Sequence, residues 1–112
     1  MRVLTLNEEI ILIAVCRLRG SAHGVAIRDK IVELSGKEIV YGTLYNSLEY
    51  LIRKDFVRSV KGDPTPERGG KRKTIYSITL DGKKALMNTR SLHEKLWKGM
   101  SDLMMDLPGK SE

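Results

Sequence analysis

A mainly α-helical fold with one β-hairpin is predicted by three features of this 112-residue sequence. Apolar residues recur at helical spacing in three successive segments of its first half. Two short segments rich in β-branched and aromatic residues then flank a stretch of proline, glycine and basic residues. A further helical pattern runs from residue 81 to residue 107. At this length we expect one modest core that a second subunit would help to stabilise.

The first helix is predicted to begin after Thr5. Thr5 stands three residues before Glu8, which is the spacing of a capping box, and an apolar run over residues 10–16 follows. Because this helix is apolar around most of its circumference, one neighbouring surface cannot cover it. We therefore expect Ile10 and Ile13 to contact a second subunit, and Cys16 to be a small buried hydrophobe.

The second and third helices are separated by a short connection. Ile27 and Ile31 lie on one helical face of the second, which should end at Ser35-Gly36. In the third, YGTLYNSLEYLIRK, leucines form the buried stripe, and we expect Tyr45 beside them in the core. The other faces of this helix carry polar, aromatic and basic side chains, which we expect to contact nucleic acid. They are Tyr41, Thr43, Asn46, Ser47, Tyr50, Arg53 and Lys54.

Simpler interpretations of these residues exist. The short polar side chains of the third helix could be a solvated helix face and nothing more. Arg53 and Lys54 could stabilise the dipole at the end of the helix instead of contacting a phosphate.

The segments DFVRSVK and KTIYSIT are predicted to pair as a β-hairpin around KGDPTPERGGKRK. Residues 53–73 contain eight cations and three anions, so most of the net charge of +6 lies here. A hairpin loop of this length is more often functional than incidental. We favour contact with phosphates over a merely solvated charge run for Arg68, Lys71, Arg72 and Lys73.

The last helix is predicted to begin after Thr79 as N-cap and to end before Pro108-Gly109. A series of residues spaced alternately three and four apart forms the seam of a coiled coil. The seam consists of Leu86, Thr89, His93, Leu96, Met100, Leu103 and Leu107. We therefore divide the chain into residues 1–80 and a dimerisation helix over residues 81–107. The interface residues expected on this helix are Leu86, His93, Leu96, Trp97, Met100, Leu103, Met104 and Leu107.

Several classes of protein are excluded or disfavoured by composition. Cys16 is the only cysteine, which excludes an intrachain disulfide and a zinc-cysteine scaffold and suits a reducing cytoplasm. The longest apolar run is far shorter than the roughly 20 residues that span a bilayer, so we expect a soluble protein with no membrane partner. The sequence has no phosphate loop or nucleophile elbow, and we expect no enzyme activity, cofactor or metal.

Three helices followed by a hairpin, with a polar third helix and a basic hairpin tip, is the order of a winged helix-turn-helix fold. The major groove of DNA admits one helix, and cations beside that helix neutralise phosphates. The pI near 9.6 also favours a polyanionic partner, and we expect this to be double-stranded DNA. The alternative is a winged-helix module that binds RNA or another protein without operator specificity.

Four segments in order, GVAIRDKI, GTLYNSLEYLIRKDFV, KRKTIYSIT and DGKKAL, resemble the PadR-type transcriptional regulators over about residues 6–86. The resemblance implies a homodimeric repressor in which the C-terminal helix packs on the partner's first helix. It also implies that a flat hydrophobic effector could contact Trp97 and His93, although both could simply pack the dimer. The usual Ser-Pro before Gly-Thr is replaced by Val40 and Tyr41, so operator preference does not carry over.

Overall fold

The computed structural model describes residues 3–64 and 72–105, with side chains over 3–62 and 73–105. These residues form a mainly helical fold with one two-stranded antiparallel sheet, as predicted. In chain order the elements are α1 (Leu6–Leu18), α2 (Gly24–Ser35), α3 (Tyr41–Arg53), β1 (Val57–Pro64), β2 (Arg72–Ile78), α4 (Leu80–Trp97) and α5 (Met100–Met105).

Helix α1 begins with the predicted capping box. The Glu8 backbone N–H donates to Thr5 Oγ1 at 3.2 Å, and the Thr5 backbone N–H donates to Glu8 Oε1 at 2.9 Å. Both donors would otherwise lack an intrahelical acceptor. From this start α1 buries Ile11, Leu12 and Val15 and packs against α2, α3, β2 and α4. The helix therefore lies at the centre of the fold.

The turn between α2 and α3 sets the direction of the third helix. Helix α2 ends at Ser35 and is capped by Gly36, whose φ of 70° is left-handed and whose N–H donates to the Val32 carbonyl at 2.8 Å. Helix α3 starts after Val40, which supplies no side-chain cap. The first N–H groups of α3 therefore have no capping side chain to accept their hydrogen bonds.

The β-hairpin is anchored at its base and extends away from the core. Val57 pairs with Ile78, and Lys61 pairs with Thr74. Val57 and Tyr76 are buried, whereas Val60 is 63% exposed. The Tyr76 N–H also donates to the Ala22 carbonyl at 2.8 Å, which fixes β2 to the connection between α1 and α2.

The prediction of a single long helix over residues 81–107 is wrong. Thr79 does cap α4, by accepting from the Gly82 N–H at 3.0 Å, but α4 ends at Trp97. Gly99, with a φ of 79°, then separates α4 from the six-residue α5. A left-handed backbone cannot continue an α-helix, and glycine adopts it without steric cost. Leu107 lies outside the described residues.

The expected coiled-coil seam is divided between two environments. Thr89 is fully buried within its own chain, where its hydroxyl accepts a hydrogen bond from the Leu4 N–H at 3.2 Å. Leu86 is partly buried and packs against the core. By contrast Leu96, further along the helix, is 64% exposed. The first part of the seam therefore packs on its own chain.

Cys16 was expected to be buried, and this expectation is wrong because the thiol is exposed. The core covers the side of α1 that carries Ile11 and Val15, whereas Ile13 is only partly buried. The apolar pattern runs around the whole helix, but the fold of one chain covers only one side of it.

The close packing of α4 on the base of the hairpin, at Phe56 and Ile78, predicts a large effect of Gly82→Ala. A Cβ at Gly82 would collide with the Phe56 carbonyl oxygen and come within 2.8 Å of Ile78. We expect Gly82→Ala to lower the free energy of unfolding in urea by about 1–3 kcal/mol. The control is Gly42→Ala, because a Cβ there has no neighbour within 4 Å and should stabilise α3 by about 0.5–1 kcal/mol. Equal effects of the two variants would contradict this packing.

Candidate nucleic-acid interface

Helix α3 has one apolar side and one exposed polar side. Leu44, Leu48 and Leu51 are buried with at most 1% of each side chain exposed. The opposite half of the helix carries hydroxyl, amide, carboxylate and guanidinium groups, which can pair with base edges or phosphates. The residues of this outward face, all exposed, are Gly42, Thr43, Asn46, Glu49, Tyr50 and Arg53. Ser47, at the edge of the face, is partly buried.

Glu49 is not among the contact residues predicted from the sequence, which are cations and neutral polar or aromatic residues. It is exposed on α3, three residues after Asn46 and four before Arg53, and therefore on the same face. A carboxylate can accept a hydrogen bond from cytosine N4 in the major groove. Its helical spacing was the signal that could have identified it.

Two tyrosines hold α3 against α2. The rings of Tyr41 and Tyr45 stack with centroids 6.1 Å apart and planes at 23°. The Tyr45 hydroxyl lies so close to Gly24 that a Cβ at that glycine would have no room. The expectation that Tyr45 is a core residue is wrong, since it is 42% exposed. Its ring lies between α2 and α3.

Tyr45 also lies close to the hairpin. Burial raises the pKa of the Tyr76 hydroxyl, and the nearby Tyr45 and Glu49 raise it further. Tyr45 and Glu49 of α3 are therefore close enough to the Tyr76 hydroxyl on β2 to disfavour its ionised form. Helix α3 also contacts β1, which follows it after a short link.

Lys54 is engaged within the chain. Its Nζ lies 3.0 Å from Glu8 Oε2, and the two side chains are only 15% and 9% exposed. The same ammonium lies 3.8 Å from the centroid of the Tyr50 ring. These contacts connect the C-terminal end of α3 to the first turn of α1, and they favour the structural interpretation of Lys54 over a phosphate contact. Arg53 is exposed.

The pKa of Glu8 reflects this arrangement. Burial alone would raise it, but the Thr5 backbone N–H and the Lys54 ammonium together outweigh burial and hold the pKa below its ordinary value of 4.5. Glu8 is therefore a charged partner for Lys54 at neutral pH.

The cations of the hairpin are only partly within the described residues. Arg58 and Lys61 are exposed on β1, and Lys61 Nζ donates to Thr74 Oγ1 at 3.2 Å. Lys73 on β2 is partly exposed. Arg68, Lys71 and the side chain of Arg72 lie outside the described residues.

The residues expected at a dimer interface differ in how much their own chain covers them. Ile10, Ile13, Leu86 and Met100 are partly buried. His93 Nε2 lies 3.0 Å from Glu9 Oε1 on α1, so this side chain already has a partner in its own chain. Exposed fractions of 38–64% are found for Leu96, Trp97, Leu103 and Met104.

Within residues 3–64 and 72–105, no group of three or more His, Cys, Asp or Glu side chains is arranged to hold a metal ion. Over the same part of the chain, no helix combines the length and the apolar character needed to cross a membrane.

Residues 12–88 match the transcriptional regulator PadR-like family. The chain belongs to this family. The resemblance inferred from the four sequence segments is thereby confirmed, with the matched region displaced by a few residues from the one expected. None of the curated proteins compared with this chain matches its sequence.

Solved structures of transcriptional regulators share the fold. A PadR-like transcriptional regulator from Bacillus cereus is 15% identical, with a TM-score of 0.74 over 91% of this chain and 94% of that chain. A PadR-like transcription factor from Bacteroides fragilis is 20% identical, with a TM-score of 0.73 over 88% and 89%. A putative transcriptional regulator from Thermoplasma acidophilum is 25% identical, with a TM-score of 0.67 over 88% and 92%. Family and fold together support a DNA-binding transcriptional regulator.

The ion pair between Glu8 and Lys54 predicts an acid-sensitive contribution to stability. The pKa of Glu8 is lower when folded than when unfolded, so the contribution is present above pH 4.5 and is lost as the pH falls through the folded pKa. We expect Glu8→Gln to lower the free energy of unfolding by about 1.5–3 kcal/mol at pH 7 and to flatten its fall in acid.

The matched control for this prediction is Glu33→Gln. Glu33 pairs with Lys30 at 3.1 Å, but its side chain is 66% exposed, so we expect a loss below about 1 kcal/mol. Urea unfolding at pH 7 and at several acid pH values measures both variants. If the two lost the same small amount at pH 7, Glu8 would have no special role in joining α1 to α3.

Proposed function

We propose that this PadR-like chain is a dimeric, sequence-specific repressor that binds a pseudo-palindromic operator in double-stranded DNA. The observation that carries the proposal is the outward face of α3, where polar side chains are exposed along a helix whose leucines are fixed in the core. A helix held on one side by the core, with an exposed polar face on the other, is what insertion into the major groove requires.

Within α3, we assign base contacts to the short side chains and positioning to the others. The Asn46 amide can bond adenine in bidentate fashion, and the hydroxyls of Thr43 and Ser47 can reach base edges or phosphates. Tyr41, Tyr50 and Arg53 lie at the edges of this surface and suit backbone contacts. We keep Lys54 outside the interface, because Glu8 holds its ammonium.

The hairpin is proposed as the second contact with DNA. Its base is fixed by the burial of Val57 and Tyr76, and the paired strands β1 and β2 extend from there past the core, where Val60 is exposed. The cations at and near that tip would neutralise backbone phosphates irrespective of sequence. They are Arg68, Lys71, Arg72 and Lys73.

Homodimerisation is supported by one line of residues along α4. Ala85 and Thr89 lie on this line and are buried in their own chain, whereas Leu96 lies on the same line and is exposed. The helix thus extends its apolar side past the end of its own core. We propose that a second subunit covers it, with the interface formed by Ile10, Ile13, Leu86, His93, Leu96, Trp97, Met100, Leu103, Met104 and Leu107.

A hydrophobic small molecule is the effector class that we propose for this interface. Trp97 is 61% exposed at the end of α4, where a flat ligand could stack on the indole ring. Such a ligand would act by changing the angle between the subunits, and with it the spacing of the two α3 helices. His93 would then contribute through its contact with Glu9, which connects α4 to α1.

The two proposed contacts predict different effects on DNA binding. Replacing Lys71, Arg72 and Lys73 together by Ala should weaken binding to specific and random duplexes alike and flatten the salt dependence. Asn46→Ala should instead reduce the preference for the selected duplex, by about 1–3 kcal/mol, with the salt slope nearly unchanged. Titrations against both duplexes at several salt concentrations measure these quantities.

The control for the hairpin variant removes three exposed cations from α4 and the turn after it, Lys84, Lys95 and Lys98, by substitution with Ala. It changes the net charge equally, and its salt slope should stay close to that of the original chain. A hairpin variant with the same slope as this control would contradict the hairpin assignment. Binding to RNA or to no duplex would contradict the proposed function itself.

The proposed dimer predicts that Leu96→Asp separates the subunits. The new charge would be buried in the interface without a partner, and sedimentation should show a single chain. Met87→Asp is the matched control, because Met87 is 70% exposed on the opposite side of α4, nine residues earlier. A dimer that survives Leu96→Asp would rule out this side of α4 as the interface.

A further inference from the structure

Arg28 is held in a fixed position between α2 and α3. It lies in the second turn of α2, and its Nε donates to the Ile39 carbonyl at 2.9 Å in the connection between the two helices. Its guanidinium carbon also lies 5.1 Å from the centroid of the Tyr41 ring, in the first turn of α3. This one side chain of α2 therefore contacts both the connection and α3.

The charge of Arg28 is not neutralised within the described part of the chain. Arginine has five N–H donors, and the bond to Ile39 uses the one on Nε, which leaves four on the terminal amino groups. Among residues 3–62 and 73–105, no carboxylate lies within 4.0 Å of its nitrogens. By contrast Lys30, on the same helix, is paired with Glu33.

We propose that Arg28 is a phosphate-binding residue, which contacts the DNA backbone beside the bases that the first turns of α3 read. This inference rests on the proposed function. A planar guanidinium matches two oxygens of a phosphate, and one that is already ordered loses little side-chain entropy on binding. The uncapped start of α3 adds positive potential in the same place.

The contact would also position the helix in the groove. The backbone of Arg28 belongs to α2, and its guanidinium lies over the ring of Tyr41 in α3. Tyr41 in turn stacks on Tyr45. A phosphate bound by Arg28 would therefore set the depth and register at which Thr43 and Asn46 meet the bases. The sequence did not predict a role for Arg28, because nothing in the pattern of α2 distinguishes this residue from an ordinary exposed cation.

The test compares Arg28→Gln with Lys30→Gln. Both variants remove one positive charge from α2, but the two positions lie 200° apart around the helix. The probe is the DNA duplex that the unsubstituted protein selects from a random pool. Each variant is titrated against this duplex at several salt concentrations. We expect Arg28→Gln to reduce the slope of log K against log salt by about 1.8 for the two copies in a dimer, with no change for Lys30→Gln.

Two further measurements separate phosphate binding from a structural role. Arg28→Lys should restore most of the slope, because the cation is retained. Single methylphosphonate substitutions in the duplex should reveal one phosphate in each half-site whose neutralisation weakens the original chain but not Arg28→Gln. If the role of Arg28 were purely structural, Arg28→Gln would lower the free energy of unfolding but leave the salt slope and the methylphosphonate pattern unchanged. That result would overturn the inference.

The outcomes also distinguish this inference from the function on which it rests. If the original chain selects and binds a duplex but Arg28→Gln and Lys30→Gln have equal slopes, only the role of Arg28 fails. If the original chain binds no duplex even at low salt, the proposed function and the role of Arg28 fail together.

Discussion

The burial of one leucine stripe on α3 is the constraint on which the rest of the structure depends. Leu44, Leu48 and Leu51 are almost completely removed from solvent, so the rotation of α3 about its own axis is fixed. That rotation decides which side chains face outward, since the polar residues occupy the remaining faces. The ion pair between Lys54 and Glu8 fixes the end of the same helix against α1, which is itself at the centre of the fold.

The start of α3 is fixed by different chemistry. No side chain caps it, and its position depends on Tyr41 and Tyr45, which stack on each other and contact Arg28 and Gly24 of α2. Aromatic side chains suit this seam because each combines a rigid apolar ring with a polar hydroxyl. One end of the helix is thus held by charge and the other by ring packing, and both anchors lie beside the outward polar face.

Local signals in the sequence predicted the elements well. The capping box at Thr5, the glycine end of α2 at Gly36 and the N-cap at Thr79 each depend on residues within a few positions of one another. The amphipathic pattern of α3 likewise identified its buried side, because only leucines recur at helical spacing there. That pattern placed Thr43, Asn46, Tyr50 and Arg53 on the polar side, where they are exposed. It did not single out Glu49, and it gave no sign that Lys54 pairs with Glu8.

Tertiary contacts could not be predicted in the same way. The burial of Thr89 depends on its hydrogen bond to Leu4, which is 85 residues away, and the coiled-coil spacing gave no sign of it. The burial of Lys54 against Glu8 and the position of Arg28 over Tyr41 are likewise set by how helices meet. The apolar spacing also continues through Gly99, so it concealed the left-handed residue that ends α4.

The break at Gly99 has a consequence for how such a regulator could diverge. No side chain at this residue restricts the two backbone torsions that set the direction of α5, and a Cβ there would meet no neighbour within 4 Å. In a dimer joined through α4 and α5, a small change in the torsions of Gly99 would produce a large displacement of surfaces far from this residue. In the proposed dimer, new distances between the two operator half-sites could therefore evolve while the residues proposed to contact DNA stay the same.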